Sequence, residues 1–330
     1  MATLDSRGML TLKDHAKMLA PGGVVSHVVD LMSKKSPAIR DAVFRMGNLP
    51  TGHRIVARTG LPSAYFRRYN EGFRMSKGRY DQFDETCGML AVRSAVDVDL
   101  AELDGIDAAR AREAEGVVEA FTQGAERGLW YESTATGAHK FTGLTPRLND
   151  LGSDFASQIV VHTETPAGNN NTSMWFVVWG DRTVYGIFPK GSTAGLNPHN
   201  RGIIDVPDRD GKPVPSYVVD WRWKLGFAVE DYRYLVRIAN IDLSTLSGSD
   251  DTLIPAMIRA YARLQDTTSG RPVIYCNREV WTYLWLQART YAKAQITVGE
   301  EEGRPKMRFM GIPIEITDGL SATEAPLIGG

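Results

Sequence analysis

Apolar positions along the chain fall into three regimes. Up to residue 47 they come in short bursts. "TLKDHAKML" places Thr11 as an N-cap with Asp14 three residues on, a weak capping box. "GVVSHVVDLMSKKS" sets Val24, Val28 and Leu31 on one helical face and ends in Lys34 and Lys35; Pro37 then separates it from "AIRDAVF". This predicts an arm of short helices over 1–47, lying over the rest of the chain or over a neighbour. "HRIVARTGL" and "GRYDQFDETCGMLAVRSAV" read next as strands, and Gly60, Pro62, Gly72 and Gly78 interrupt the stretch they flank. The reading is a long, irregular β-hairpin over 51–87, in a segment bounded at 48–90, whose arms of ~10 residues reach ~33 Å. Its middle has too few aliphatic residues to form a core of its own.

A helical period takes over at 104–130. Ala114, Val117, Val118, Phe121, Ala125 and Leu129 recur at helical spacing, with Asp104 or Asp107 placed to cap the start. Gly116, Gly124 and Gly128 each weaken such a helix by up to ~1 kcal/mol relative to Ala, so close packing against a sheet is expected to compensate. From Asp154 to Leu243 the pattern is β-rich: "TSMWFVVWG", "VYGIFPKG", "RGIIDV", "SYVVDWRWKLGFAV" and "YRYLVRIANIDL" are strand candidates, and Asp210-Gly211 supplies a turn. After residue 250 the pattern alternates. Helix "DTLIPAMIRAYARLQD", strand "RPVIYCN", helix "REVWTYLWLQARTYA", a polar loop "GEEEG" and strands with a turn at Met310-Gly311 predict a compact α/β unit over 251–330. The stretch between, 91–250, is read as a second domain carrying the long helix.

Composition changes this picture little. The 330 residues are 43% hydrophobic and 23% charged, with a formal net charge of -1; this is ordinary globular chemistry, without the basic excess of a dedicated nucleic-acid binder. The distribution of charge matters more. The stretch "RTGLPSAYFRRYNEGFRMSKGRY" carries Arg58, Arg67, Arg68, Arg74, Lys77 and Arg79 against Glu71, interleaved with Tyr65, Phe66, Tyr69, Phe73 and Tyr80. Interleaved cations and rings suit a single-stranded nucleic-acid groove. The segment that follows is acidic, with Asp84, Glu85, Asp97, Asp99 and Glu102 among its acids, so the two can pair within a subunit or between copies, and the alternative is two solvated faces with no special partner. The two cysteines, Cys87 and Cys276, give no disulfide framework or zinc spacing. The polar N-terminus has no signal-peptide h-region, and no apolar run reaches a membrane span.

No catalytic constellation survives inspection. The six histidines are scattered, and the chain has no HExxH, GxSxG, Walker loop or GxGxxG. "DRDG" lacks the downstream Glu of a calcium loop. Asp97 and Asp99 would share a strand face, and Trp175, Trp179, Trp221, Trp223, Trp281 and Trp285 could line a sugar cleft, but packing is the simpler use of the tryptophans. No cofactor or metal is expected.

"NLPTGHRIVARTGLPSAYFRRYN", "TSMWFVVWGDRTVYGIFPKGSTAGL", "WRWKLGFAVEDYRYLVRIANID" and "RPVIYCNREVWTYL" followed by "GIPIEITDGL" resemble, in order from Asn48 to Gly319, a family of major capsid proteins of tailed bacteriophages. The resemblance implies an α+β chain with the herpesvirus-like (Johnson) shell fold. Its parts would be an N-terminal arm at 1–47, an extended β-hairpin loop at 48–90, a peripheral domain at 91–250 with the spine helix at 104–130, and an axial domain at 251–330. It implies a non-enzymatic subunit that assembles with itself into hexamers and pentamers of an icosahedral head. The implied partners are a portal protein and packaged DNA bound without sequence specificity; the region before the hairpin is too short to supply a scaffolding domain, so a separate scaffolding protein or none is implied, and a decoration protein is left open. Its places would be the virion and, during assembly, the host cytoplasm. On this reading the hairpin lies on a neighbour. Arg58, Tyr65, Arg67, Arg68, Tyr69, Phe73, Arg74, Lys77 and Arg79 form the contact, and Asp84, Glu85, Asp97, Asp99 and Glu102 are the candidate acidic partners. Glu300, Glu301 and Glu302 would gather in a solvated, flexible loop near the capsomer axis. A cellular nanocompartment shell and a β-rich carbohydrate enzyme are the competing readings.

Overall fold

The computed structural model describes residues 35–164, 170–208, 210–246, 253–290, 296–301 and 304–327. The two helices expected before Lys35 lie outside the described residues. The fold is organised by β6 (Asn171–Trp179) and β10 (Leu235–Asp242), in which every residue is buried. A strand buried on both faces reads as an unbroken apolar run rather than an alternation, and "SMWFVVW" is such a run. β6 pairs antiparallel with β10 and with β11 (Arg271–Cys276), and touches β7 (Val184–Phe188) in parallel through Trp179 and Val184.

The sheet extends from this centre in both directions. Beyond β11 come β14 (Ile312–Ile316), β13 (Arg304–Phe309) and β12 (Ile296–Glu301). β5 (Ile159–Val161) flanks β10 in parallel, and β1 (Phe44–Met46) flanks β7. β7 hands over to the last residues of β9 (Pro213–Val229). The sheet is therefore continuous across residue 250, with strands from both sides of that position paired to each other. Met310 (φ 47) and Gly311 (φ 86) form the expected turn between β13 and β14, and Gly211 (φ 85) the expected turn before β9.

Alternate side chains of β6 enter two cores. Trp175, Val177 and Trp179 face one with Trp130, Leu129, Tyr275 and Phe227. Met174 and Phe176 face the other, closed by helices α4 (Leu253–Arg263) and α5 (Arg278–Thr290) through Met257 and Leu284. Trp281 and Trp285 stack at 5.1 Å on α5 and pack against this second core. Cys276 is buried, and the Cys87 thiol is pushed up to about 12 by burial.

β9 is long enough to leave the core. Its residues 213–225 form a three-stranded sheet between β4 (Gly88–Asp97) and β8 (Leu196–Pro207). The spine helix α3 (Ile106–Tyr131) spans from this sheet to the core. Its start differs from expectation. A short helix, α2 (Val98–Asp104), precedes it, Gly105 (φ 88) breaks the chain between them, and no Asp side chain caps α3. Its buried residues include Ala109, Val117, Phe121, Ala125 and Leu129, while Val118 is exposed. Of the three helical glycines, Gly128 is the one that close packing requires. A Cβ there would lie 2.8 Å from the Phe141 ring, whereas Gly116 faces open space.

The predicted hairpin is β2 (Gly52–Gly60) against β3 (Arg79–Thr86), in antiparallel register from Gly52↔Thr86 to Arg58↔Tyr80. The apolar run beyond it does not continue as one strand. Cys87 ends β3, and β4 joins the three-stranded sheet.

Candidate inter-subunit surface

The hairpin is tied to the body at its root. Arg147 is buried and grips Glu85 with both terminal nitrogens, while also donating to the carbonyls of Thr142, Gly143 and Phe227. Burial opposes the guanidinium charge, yet the paired Glu85 holds Arg147 above its usual value. Gly226 lets the backbone of β9 pass beneath the root, since a Cβ there would sit 2.6 Å from the Thr86 carbonyl. One turn further out, Arg54 clasps Asp84 through two bonds of 2.6 and 2.7 Å on the exposed face.

The tip, residues 61–78, has no strand pairing but holds its shape by local contacts. Asn70 turns the chain at φ 65. Ser63 and Ser76 bond across its base, at 2.8 Å from the Ser63 amide to Ser76 Oγ. The half-buried Tyr65 hydroxyl accepts from the Arg74 amide at 2.5 Å and donates to Gly72. Arg67 donates to the Glu71 carbonyl at 2.8 Å and lies 4.3 Å above the Phe73 ring, and Arg74 lies 5.2 Å above Tyr65. Arg58 covers Tyr80 at 5.3 Å, near the end of the paired region. The Arg68 amide reaches the Glu71 carboxylate, and Arg74 approaches the same group at 3.9 Å.

These contacts organise the tip without covering it. Phe66 is 105% exposed, Met75 103%, Tyr69 97%, Phe73 84% and Leu61 79%. Five apolar side chains in water on one short loop form a patch of the kind that marks an interaction site. Arg67, Arg68, Arg74, Lys77 and Arg79 surround them, with Glu71 as the one acid. Between the hairpin and the body runs a groove of about 1580 Å³, whose wall includes Phe155 and Tyr232 stacked at 3.7 Å.

The candidate acids are distributed differently from the sequence reading. Glu85 is consumed by Arg147 and its side chain is only 11% exposed, so it offers little to a second molecule. Asp84 is engaged by Arg54 but half exposed. Asp97 and Asp99 do not share a strand face. Asp97 ends β4 and caps α2, accepting from the Asp99 amide at 3.0 Å. Asp99 and Glu102 are exposed on α2. Glu300 and Glu301 lie not in a loop but in β12, opposite Pro305 and Arg304. Glu302 lies outside the described residues.

Sequence reasoning missed the buried polar groups. Arg237, in the centre of β10, donates to Ser173, to the Leu148 carbonyl and to Glu324 at 2.9 Å, and Glu324 also accepts from Tyr131. Glu126 on α3 is 1% exposed and accepts from the Ile39 amide at 3.1 Å, Thr317 Oγ1 at 2.7 Å and Trp130 Nε1 at 3.4 Å. It thereby joins α1 (Pro37–Asp41) and the C-terminal segment to the spine helix. Burial pushes its carboxyl up to about 7, against those donors. A charged residue inside an apolar run, as in "YLVRIANI", was the available signal.

Among the described residues no group of three His, Cys, Asp or Glu could hold a metal ion, and no helix is long and apolar enough to cross a membrane. The geometry is that of a protein whose unusual features are surfaces.

Comparison with known proteins agrees. The profile of the family "major capsid protein GP7" matches residues 20–328. The bacteriophage Epsilon15 structure superposes with a TM-score of 0.79 at 25% identity, covering 100% of both chains. The bacteriophage JBD30 capsid superposes at 0.53 and 9% identity over 92% of this chain and 99% of its own. No curated protein matches in sequence. The profile match over nearly the whole chain, with a structure of the same extent, identifies the chain as a member of the major capsid protein GP7 family, a self-assembling structural protein of the bacteriophage virion shell.

Proposed function

We propose that the subunit assembles as hexamers and pentamers of an icosahedral head enclosing DNA, and that the hairpin tip is its main inter-subunit latch. The observation that carries this reading is the tip itself. It is fixed by its own hydrogen bonds and cation–π contacts, yet leaves Phe66, Tyr69, Phe73 and Met75 in solvent. Ordering a loop has an entropic cost, and exposing rings wastes their burial, unless another surface covers them. Arg67, Arg68, Arg74 and Arg79 then meet acids of the adjacent subunit, for which Asp99 and Glu102 offer exposed carboxylates and Asp84 a shared one. Such pairs set register more than strength.

The chain acts by assembly rather than catalysis. The finer partners, a portal protein, a scaffolding protein, a decoration protein and non-specifically held DNA, belong to the same reading, as does the division into arm, hairpin, peripheral and axial domains. The β12–β13 strand pair carrying Glu300 and Glu301 is assigned to the capsomer axis. The test is Arg67→Glu with Arg68→Glu, scored by electron microscopy of particles formed in cells. Soluble capsomers or malformed shells, partly rescued by reversing Asp99 and Glu102 to Lys, are expected. Normal shells of normal thermal stability would show that the basic tip faces solvent. Intact empty shells that lose DNA would assign the tip to nucleic acid instead.

A further inference from the structure

The three-stranded sheet β4–β9–β8 has one face under the spine helix and one face open. Register places Arg93, Asp220 and His199 in one cross-strand row and Ala91, Arg222 and Asn197 in the next, with Lys224 one step beyond opposite Met89. Residues directly opposite, and two apart along each strand, share a face. That open face therefore collects Arg93, Arg222 and Lys224, and a register shift between Asn200 and Gly202 brings Arg201 to the same group. A single carboxylate serves them: Asp220 takes Arg93 at 2.7 Å, Arg201 at 2.5 Å and Arg222 at 3.6 Å. The hydrogen bonds from Arg93 and Arg201 hold its carboxyl down at about 2. One negative charge shared by three arginines leaves two uncompensated, and Lys224 makes no ion pair among the described residues.

The excess is concave. A cavity of about 530 Å³ is lined by Arg201, Arg222, Lys224, His199, Ser192 and Thr193 with neighbouring backbone, and among the described residues no carboxylate lines it. Gly191 and Gly195, both at φ 82, bend the 189–195 loop over it. The Ser192 hydroxyl donates to the Pro189 carbonyl at 2.7 Å, which leaves its oxygen at the cavity as an acceptor only; the Thr193 hydroxyl makes no hydrogen bond among the described residues and lines the cavity, where it can donate. Guanidinium forks, an ammonium and a hydroxyl around one hollow match a tetrahedral oxyanion better than a planar or apolar ligand.

The geometry points to this cavity as a phosphate-binding site, open to a free phosphate compound or to the backbone of a nucleic-acid strand. Binding is weak and salt-dependent, because few counterions are released and the site is exposed. It does not rest on the hairpin reading, and it uses none of the tip residues.

Titration of full-length subunits with inorganic pyrophosphate and, separately, with a single-stranded oligothymidylate at low salt tests it. Lys224→Glu and, independently, Arg222→Glu are each expected to weaken binding by about tenfold or more, the scale of one charge-assisted hydrogen bond. Arg127→Glu, a reversal of an exposed cation on the spine helix, is expected to leave it unchanged. Two variants guard against a single misfolded one. Competition of pyrophosphate with the oligonucleotide identifies a site for phosphate from either source, and oligonucleotide binding alone identifies the strand backbone as the ligand. Absence of both, retention of binding in both variants, or binding of a polyglutamate peptide only would overturn the assignment.

Discussion

The centre of the sheet and the tip of the hairpin solve opposite problems. In β6 and β10 every side chain is buried and even the charge of Arg237 is met by Glu324, Ser173 and a carbonyl. At 61–78 several polar groups bond to one another while the apolar ones stand in water. The first region gains its stability within the chain. On the proposed function, the second gains little until another molecule covers it. A shell protein needs both: a body that folds alone, and a surface whose burial is deferred to assembly. The contrast predicts that core changes act on folding and tip changes on assembly, with the effect on the isolated subunit falling from one to the other.

The largest effect is expected at the buried ion pair. Glu324→Ala leaves the Arg237 guanidinium buried with its carboxylate partner removed, and such a broken pair costs about 3–5 kcal/mol. Unfolding by denaturant should show this as a lower midpoint in the unassembled subunit. Replacing both partners, as in Arg237→Met with Glu324→Leu, should recover much of it. If the single variant is as stable as the parent, the core does not depend on this pair and the contrast loses its strongest leg.

Glu126 gives a smaller, pH-dependent effect. Its carboxyl titrates at about 7 in the fold because of burial, above the 4.5 of a free side chain. A raised folded value favours the protonated form, so the contribution is fully present below 4.5 and is lost as pH rises through 7. The difference is at most about 3 kcal/mol. Burial lowers His162, and acts with nearby Arg45 to lower His53, so both give the opposite slope and oppose folding at acid pH. The informative curve is therefore parent minus Glu126→Gln. That difference should decline between pH 5 and 8, and a flat difference would mean that the carboxylate stays charged on its three donors.

How much of this was legible follows from the same contrast. The centre of the sheet was readable because burial on both faces writes an unbroken apolar run, as in "SMWFVVW", and the spine helix because Val117, Phe121, Ala125 and Leu129 keep its period. The hairpin was readable from two strand-like stretches flanking a segment interrupted by Gly60, Pro62, Gly72 and Gly78. Boundaries were lost where backbone geometry decides: Cys87 parts β3 from β4, and Gly105 parts α2 from α3. Charge assignments failed where partners are distant in sequence. Glu85 looked like a free acid beside Asp84, but Arg147, 62 residues away, pairs with it. Glu300 and Glu301 looked like a loop because their composition is polar, though strand pairing with Arg304 and Pro305 settles the backbone there.

The smallest effect on the fold, and the sharpest test of the contrast, is at the tip. Phe66→Ser with Phe73→Ser removes two exposed rings, so the isolated subunit should unfold within about 0.5 kcal/mol of the parent, as surface changes do. Phe73 also carries the stacked Arg67, a contact worth about 0.5–1 kcal/mol at an exposed site, and this bounds any loss. Assembly should respond very differently. Each ring buried against a neighbour contributes roughly 1.5–3 kcal/mol to that contact, and a closed shell repeats it in every subunit. Sedimentation of the variant should therefore show a folded subunit that fails to close into shells, or does so only at higher concentration. A variant that unfolds like the parent and assembles like the parent would mean that the rings remain in solvent in the shell. A variant that unfolds early would mean that the tip packs within its own chain, and the two regions would then differ in degree rather than in purpose.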